Sequence, residues 1–219
     1  MDSRHSLCVV FDLDDTLYQE RDYQLSGFRA VAEYCRLIYG RDLLREILLW
    51  DQLGELDVLE QVCVELGVPA SCKESFIWVY RNHLPDISLS ERTVGVLNRI
   101  QDSVTSVAVL TDGRSTTQRL KLKALGLSSL PAFISEEWGD SKPGKARFEA
   151  IQRQFKADGY WYVGDNPKKD FLAPNELGWH TVGLRGDERN VHSQDTSSLP
   201  EEYLPRFWID RLDQLIDEV

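Results

Sequence analysis

An α/β fold, built on a parallel sheet and interrupted once by a block of helices, is predicted by three observations. Short apolar runs, Leu7 to Val10 and Val104 to Leu110 among them, lead straight into clusters of Asp, Thr and Gly. From Ser90 onward such runs alternate with helical patterns, the strand-helix-strand rhythm of a parallel sheet. Between Leu17 and about Ser88 the pattern is helical throughout, with no convincing strand. The expected division is therefore a core of residues 1–16 and 89–219, with a helical insertion of residues 17–88.

Leu7-Cys8-Val9-Val10 reads as a short buried strand running into Phe11-Asp12-Leu13-Asp14-Asp15-Thr16. Phe28, Val31, Ala32, Cys35, Ile38 and Tyr39 recur at helical spacing, and Leu43, Leu44, Ile47 and Leu48 continue the stripe. A second helix, Leu56 to Leu66, stops at Gly67; Ser71-Cys72-Lys73-Glu74 reads as a capping box opening a third that Pro85 ends. A helix around Arg92 to Ile100 precedes the strand Val104 to Leu110 and Thr111-Asp112-Gly113. Ser115 to Gln118 is a second capping box, whose helix ends at Leu125-Gly126. Short strands are predicted at Ala132 to Ile134, Tyr160 to Val163 and His180 to Leu184, with helices at Ala146 to Phe155 and Pro174 to Leu177. Arg185 to Pro205 is a polar loop before Phe207 to Ile209 and a closing helix from Asp210.

The 219 residues can bury a substantial core, and 42% hydrophobic with 28% charged residues is the composition of a globular protein. With 25 Lys plus Arg against 36 Asp plus Glu the net charge is −11, which opposes attraction to nucleic acid or an anionic membrane. An anionic ligand must then be captured locally. Cys8, Cys35, Cys63 and Cys72 form no C-x-x-C pair and no zinc-like spacing with histidine, so reduced thiols are expected. The polar start, Met1 to Ser6, and the absence of a long apolar stretch predict neither signal peptide nor membrane span, hence a cytoplasmic protein.

Residues two apart on an extended chain point the same way, so Asp12 and Asp14 can converge on one reacting centre, and aspartate is a competent nucleophile towards phosphorus. The competing reading is a strand followed by an Asp-rich turn. On these six residues alone both stand. In an open parallel sheet ligands bind beyond the carboxyl ends of strands. Three polar constellations fall there: Asp12 to Thr16, Thr111 to Gly113, and Gly164-Asp165-Asn166-Pro167-Lys168-Lys169-Asp170. A calcium loop from Asp12 fails, with Leu17 and Tyr23 where Gly and Glu are required, and no Walker sequence is present.

These stretches, with Lys142-Pro143, resemble the four ordered motifs of the haloacid dehalogenase superfamily over nearly the whole chain. The resemblance implies a three-layer Rossmann-like core with a parallel sheet and a small all-helical cap between the first and second motifs. It implies Asp12 as nucleophile and Asp14 as the acid, then base, with Thr16 orienting the loop around Asp14. Thr111, Asp112, Gly113 and Lys142 would bind the phosphoryl group, Lys142 being preferred to Lys145. Asp165, Asp12 and the backbone carbonyl of Asp14 would hold Mg²⁺, and Asp170 would position metal-bound water or Lys142. Charge independently demands a cation, because two unit negative charges ~4 Å apart repel by about 4 kcal/mol at an effective dielectric of roughly 20. Dehalogenases of the fold need no acid at the position of Asp14, so the phosphatase branch is expected. Asp112, where Asn is common, is a departure from the pattern.

The resemblance thus implies a Mg²⁺-dependent phosphatase of a small phosphorylated metabolite: a sugar phosphate, a nonulosonate phosphate or a nucleoside monophosphate. Thr111 to Leu125 looks similar to pyrimidine nucleotidase and acylneuraminate phosphatase relatives, which favours those two groups slightly. A phosphomutase, or a phosphate-binding module akin to a signalling receiver, is the alternative. The partner is a small phosphate ester, neither nucleic acid nor membrane, and a monomer or weak homodimer is expected. His83 and His180 are assigned structural roles, and Trp50 and Trp78 core packing in the cap. Tyr18, Arg21, Tyr23, Arg29 and Arg114 lie near the expected mouth.

Overall fold

The computed structural model describes residues 6–218; the reading of the polar N-terminus falls largely on residues 1–5, outside them. Strand β1 (Leu7–Phe11) alternates its side chains between two apolar layers. Val9 and Phe11 join one core cluster, and Cys8 and Val10 the other. Burial on both faces is what a continuous apolar run predicts for a parallel strand covered by helices.

Four helices follow before the next strand: α1 (Glu20–Tyr39), α2 (Leu44–Gln52), α3 (Val58–Leu66) and α4 (Lys73–Asn82). They pack around a core of their own, in which Val31, Ile47, Val62 and Phe76 are fully buried. This is the helical cap. The long stripe expected from Leu25 to Leu48 is two helices, because Gly40 takes φ 66 and ends α1, the left-handed geometry that closes helices at glycine. Ser71 to Glu74 is not a capping box. A 3₁₀ turn, Ala70–Cys72, runs directly into α4, which has no side-chain cap. Asp57 caps α3 instead, accepting from the Glu60 N–H at 3.0 Å. Helix α4 ends at Asn82, three residues before Pro85.

The core resumes with α5 (Glu91–Ser103), β2 (Ser106–Thr111), α6 (Ser115–Ala124), β3 (Ala132–Ile134), the unpredicted short helix α7 (Ser135–Trp138) and α8 (Ala146–Gln154). Then come β4 (Gly159–Gly164), α9 (Leu172–Glu176), β5 (His180–Leu184) and β6 (Phe207–Ile209). The closing helix is a 3₁₀ segment, Leu212–Asp217. Pro174 is the third residue of α9 rather than its first, still within the turn whose N–H groups have no helical partner.

All six strands are parallel, in the order β3-β2-β1-β4-β5-β6. The chain travels outward from β1 through β2 to β3, then returns to place β4 on the other side of β1. Such a reversal opens a crevice at the carboxyl ends of the strands. Among the described residues no helix is long and apolar enough to cross a membrane, and all four cysteines are free thiols.

Candidate active site

Register brings three loops to one edge. Phe11 pairs with Val109 of β2 and with Val163 of β4, so Asp12, Thr111 and Asp165 leave neighbouring strands side by side. The Asp12 N–H still donates to the Val163 carbonyl at 2.8 Å, fixing that residue to the sheet. Asp12, Asp14, Thr111, Asp112, Lys142 and Asp165 all line one cleft.

Lys142 is buried, with Nζ 2.9 Å from Asp12 Oδ1 and 2.6 Å from Asp170 Oδ1. It donates further to the Tyr162 hydroxyl of β4 at 3.1 Å. The alternative, Lys145, is paired at the surface with Glu176. Asp170 is fully buried, and its Oδ2 accepts the Asn166 N–H at 2.7 Å. Gly164 makes room for it, since a Cβ there would stand 2.5 Å from that carboxylate.

Oxygens of Asp12, Asp165 and Asp170 lie within 4.8 Å of one another. Burial, reinforced by neighbouring carboxylates and opposed by Lys142, pushes Asp12 up to about 7. Burial with Asp170 and Asp12 pushes Asp165 up to about 9. Lys142 itself is held well above its ordinary value by Asp12 and Asp170, against the effect of burial. One ammonium among three buried carboxylates leaves negative charge in excess, and the all-oxygen donor set fits a small hard divalent cation.

Asp14 has different company. Its Oδ1 lies 2.7 Å from Lys121 Nζ and accepts from the Tyr18 hydroxyl at 2.5 Å, while Oδ2 accepts from Gln118 Nε2 at 3.0 Å. Burial alone would raise this carboxyl, but Lys121 and the hydrogen bonds from Lys121, Tyr18 and Gln118 hold it below its ordinary range. Asp12 and Asp14 thus share a cleft but answer to separate lysines.

The remaining predicted residues are placed as follows. Asp112 lines the cleft, but its carboxylate accepts the Lys142 N–H at 3.2 Å and the Arg147 guanidinium at 2.6 Å. Arg147, fully buried, also donates to the Thr111 and Phe133 carbonyls. The departure at Asp112 therefore has a partner: a carboxylate there neutralises a buried arginine. Gly113 stands behind the cleft, and its N–H donates to Ser135 Oγ rather than facing a ligand. Thr16, expected to orient the loop around Asp14, makes no hydrogen bond to it. Its Oγ1 is buried with no hydrogen-bond partner among the described residues, and Tyr18 performs that contact.

Sequence reasoning missed the inward turn of α6. Ser115 to Gln118 is no capping box: the Ser115 N–H donates to the Glu136 carboxylate at 2.8 Å, and Gln118 points to Thr111 and Asp14. It also missed the loop after β5, which brings His192 to the cleft. In that loop Asn190 donates to Asp165 Oδ2 and Gln194 to the Asp165 carbonyl, while the Val191 N–H donates to Asp15. His83 is structural, its ring bridging Ser26 Oγ and the Tyr80 carbonyl, and His180 stacks on Trp161. Trp50 packs against the cap core, whereas Trp78 is 67% exposed, contrary to the expected burial.

Three comparisons bear on this arrangement. The model of the haloacid dehalogenase-like hydrolases matches residues 9–184. The chain is 25% identical to the ribulose-1,5-bisphosphate 5-phosphatase of Halopiger xanaduensis, over 96% of this chain and 98% of that one. It is 24% identical to the glyceraldehyde 3-phosphate phosphatase of Methanocaldococcus jannaschii, over 96% of each. Among solved structures, the magnesium-bound hydrolase YfnB of Bacillus subtilis superposes with a TM-score of 0.66 at 17% identity, covering 98% of both chains.

Proposed function

The chain belongs to the haloacid dehalogenase-like hydrolases and is a phosphohydrolase of that fold, and from this premise we propose a Mg²⁺-dependent phosphatase of a small sugar phosphate, with Asp12 as its nucleophile. The observation that carries the reading is the convergence of Asp12, Lys142, Asp165 and Asp170 beside Asp14 in one cleft. Asp12 attacks phosphorus while the ester P–O bond breaks, its electron pair leaving on the substrate oxygen, which takes a proton from Asp14. An arriving phosphate brings negative charge beside Asp14 and raises its proton affinity, as the acid role needs. Water then attacks phosphorus and gives its proton to Asp14. The bond to Asp12 breaks, and inorganic phosphate leaves. Thr111 and Lys142 bind phosphoryl oxygens throughout, Lys142 sharing its charge with Asp12 and Asp170.

Asp12, Asp165 and the backbone carbonyl of Asp14 would hold the cation, with Asp170 beside it, ordering Lys142. Bound there, Mg²⁺ supplies the positive charge that lets a phosphate approach several carboxylates. The activities of the two phosphatase relatives, both towards phosphorylated sugars, support sugar phosphates ahead of nonulosonate phosphates and nucleoside monophosphates. Action in the cytoplasm on a free metabolite, as a monomer or weak homodimer, completes the reading and accords with four free thiols.

The test is inorganic phosphate release from a panel of phosphorylated metabolites, with Mg²⁺ and with excess chelator. Release should be strongest from short sugar phosphates and vanish in chelator. Asp12→Asn should lower it by about three powers of ten or more. Equal release from the parent and Asp12→Asn, or undiminished turnover in chelator, would refute the assignment.

A further inference from the structure

Gln118 and Lys121 lie one turn apart on α6, 1% and 3% exposed, and the chemistry above gives neither a role. Gln118 Nε2 donates both to Thr111 Oγ1, at 2.6 Å, and to Asp14 Oδ2, at 3.0 Å. With Asp14 ionised, the amide end facing it is the nitrogen, because Oε1 there would set two acceptors against each other. A hydroxyl that accepts from an amide keeps its own hydrogen to give, so Thr111 is left as a donor towards the cleft it lines. Lys121 holds the other Asp14 oxygen and lies 4.2 Å from the centroid of the Tyr23 ring. Room for the bridge comes from Gly113, at φ 149, where a Cβ would meet the Gln118 side chain at 3.0 Å.

The geometry points to Gln118 and Lys121 as positioning residues that bind Asp14 and Thr111 into one hydrogen-bonded unit, fixing the spacing between proton donor and phosphoryl-binding hydroxyl. This rests on the roles proposed above for Asp14 and Thr111. A pair that only satisfied buried polar groups would not care which bond of the substrate was breaking. A pair that aims an acid would, because an alkoxide needs its proton as it leaves and 4-nitrophenolate does not.

The experiment compares kcat/KM, with Mg²⁺, for an alkyl phosphate such as glycerol 3-phosphate and for 4-nitrophenyl phosphate. Lys121→Met should lose roughly thirtyfold or more on the alkyl ester and under about threefold on the aryl ester, a selectivity expected of displaced acid catalysis. Lys121→Arg should recover most of the loss. Gln118→Met should bind inorganic phosphate about tenfold more weakly, the scale of one lost hydrogen bond, and its effect should not add to that of Thr111→Val. Equal losses on both esters, or none, in variants that keep the parental unfolding midpoint would overturn the proposal. Should a methionine variant fail to fold, Lys121→Gln and Gln118→Asn carry the same comparison. If the parent hydrolyses neither ester and no member of the metabolite panel, the phosphatase reading falls. The bridge is then judged by calorimetry with inorganic phosphate: weaker binding by Gln118→Met supports it, and unchanged binding overturns it.

Discussion

Two lysines face two aspartates in this cleft, and their surroundings set them apart. Lys142 serves Asp12 and Asp170, with Asp165 close by and in no ion pair among the described residues. Lys121 serves Asp14 alone, which also receives two neutral donors. The first neighbourhood is short of positive charge, and Asp12 and Asp165 hold their protons more tightly than usual. In the second, Lys121 and two neutral donors answer Asp14 directly, and its carboxylate is fixed in place. An uncompensated cluster invites a mobile cation, whereas a matched pair holds a side chain in position.

The largest effect that could break this contrast comes from Lys142→Met. Removing the single ammonium beside Asp12 should lower kcat at saturating Mg²⁺ by about 10²- to 10³-fold, the scale of one lost electrostatic contact to a transition state. Retention within a few-fold would mean that the two lysines do not differ in kind.

A smaller effect, in stability rather than rate, sharpens it. Without metal, the native protein holds protons on Asp12 up to about 7 and on Asp165 up to about 9, against an ordinary 3.8 in the unfolded chain. The native state therefore binds more protons than the unfolded one across this window, and its stability must fall as pH rises. The contribution is complete below 3.8 and gone once pH passes 9. Melting in chelator should show the midpoint dropping from pH 5 to pH 9, with Mg²⁺ giving more stabilisation at the alkaline end. A midpoint independent of pH, or a Mg²⁺ effect that shrinks with pH, contradicts the charge imbalance.

The smallest effect concerns the brace behind Lys142. Asp112→Asn keeps a hydrogen-bond acceptor for Arg147 but leaves the buried guanidinium only the more distant Asp140 carboxylate, 3.7 Å from its Nε. A loss of about 1 to 3 kcal/mol in urea unfolding is expected, with KM changed less than after Lys142→Met.

Much of this was legible in the chain. Strands β1, β2 and β4 announce themselves by apolar runs that stop at Asp12, Thr111 and Asp165, because a strand buried on both faces tolerates little else. The cap was legible as unbroken helical spacing. What escaped was long-range. Ser115 is satisfied by Glu136, twenty-one residues away, so a local capping box was the wrong inference from correct residues. Lys121 left a usable signal, since Gln118, Lys121, Leu122 and Leu125 share one helical face; a lysine and a glutamine inside an apolar stripe need buried partners. The exposure of Trp78 left none, because α4 buries Phe76 and uses only part of its circumference. His192 reaches the cleft along an irregular loop with no periodicity to read.

That loop ties the site together from outside the sheet. Within five residues it fastens to Asp165 through Asn190 and Gln194, and to Asp15 through Val191. A single insertion, deletion or proteolytic nick between 186 and 194 would slacken the rims of the first and fourth strands together while leaving every acidic group of the cleft intact.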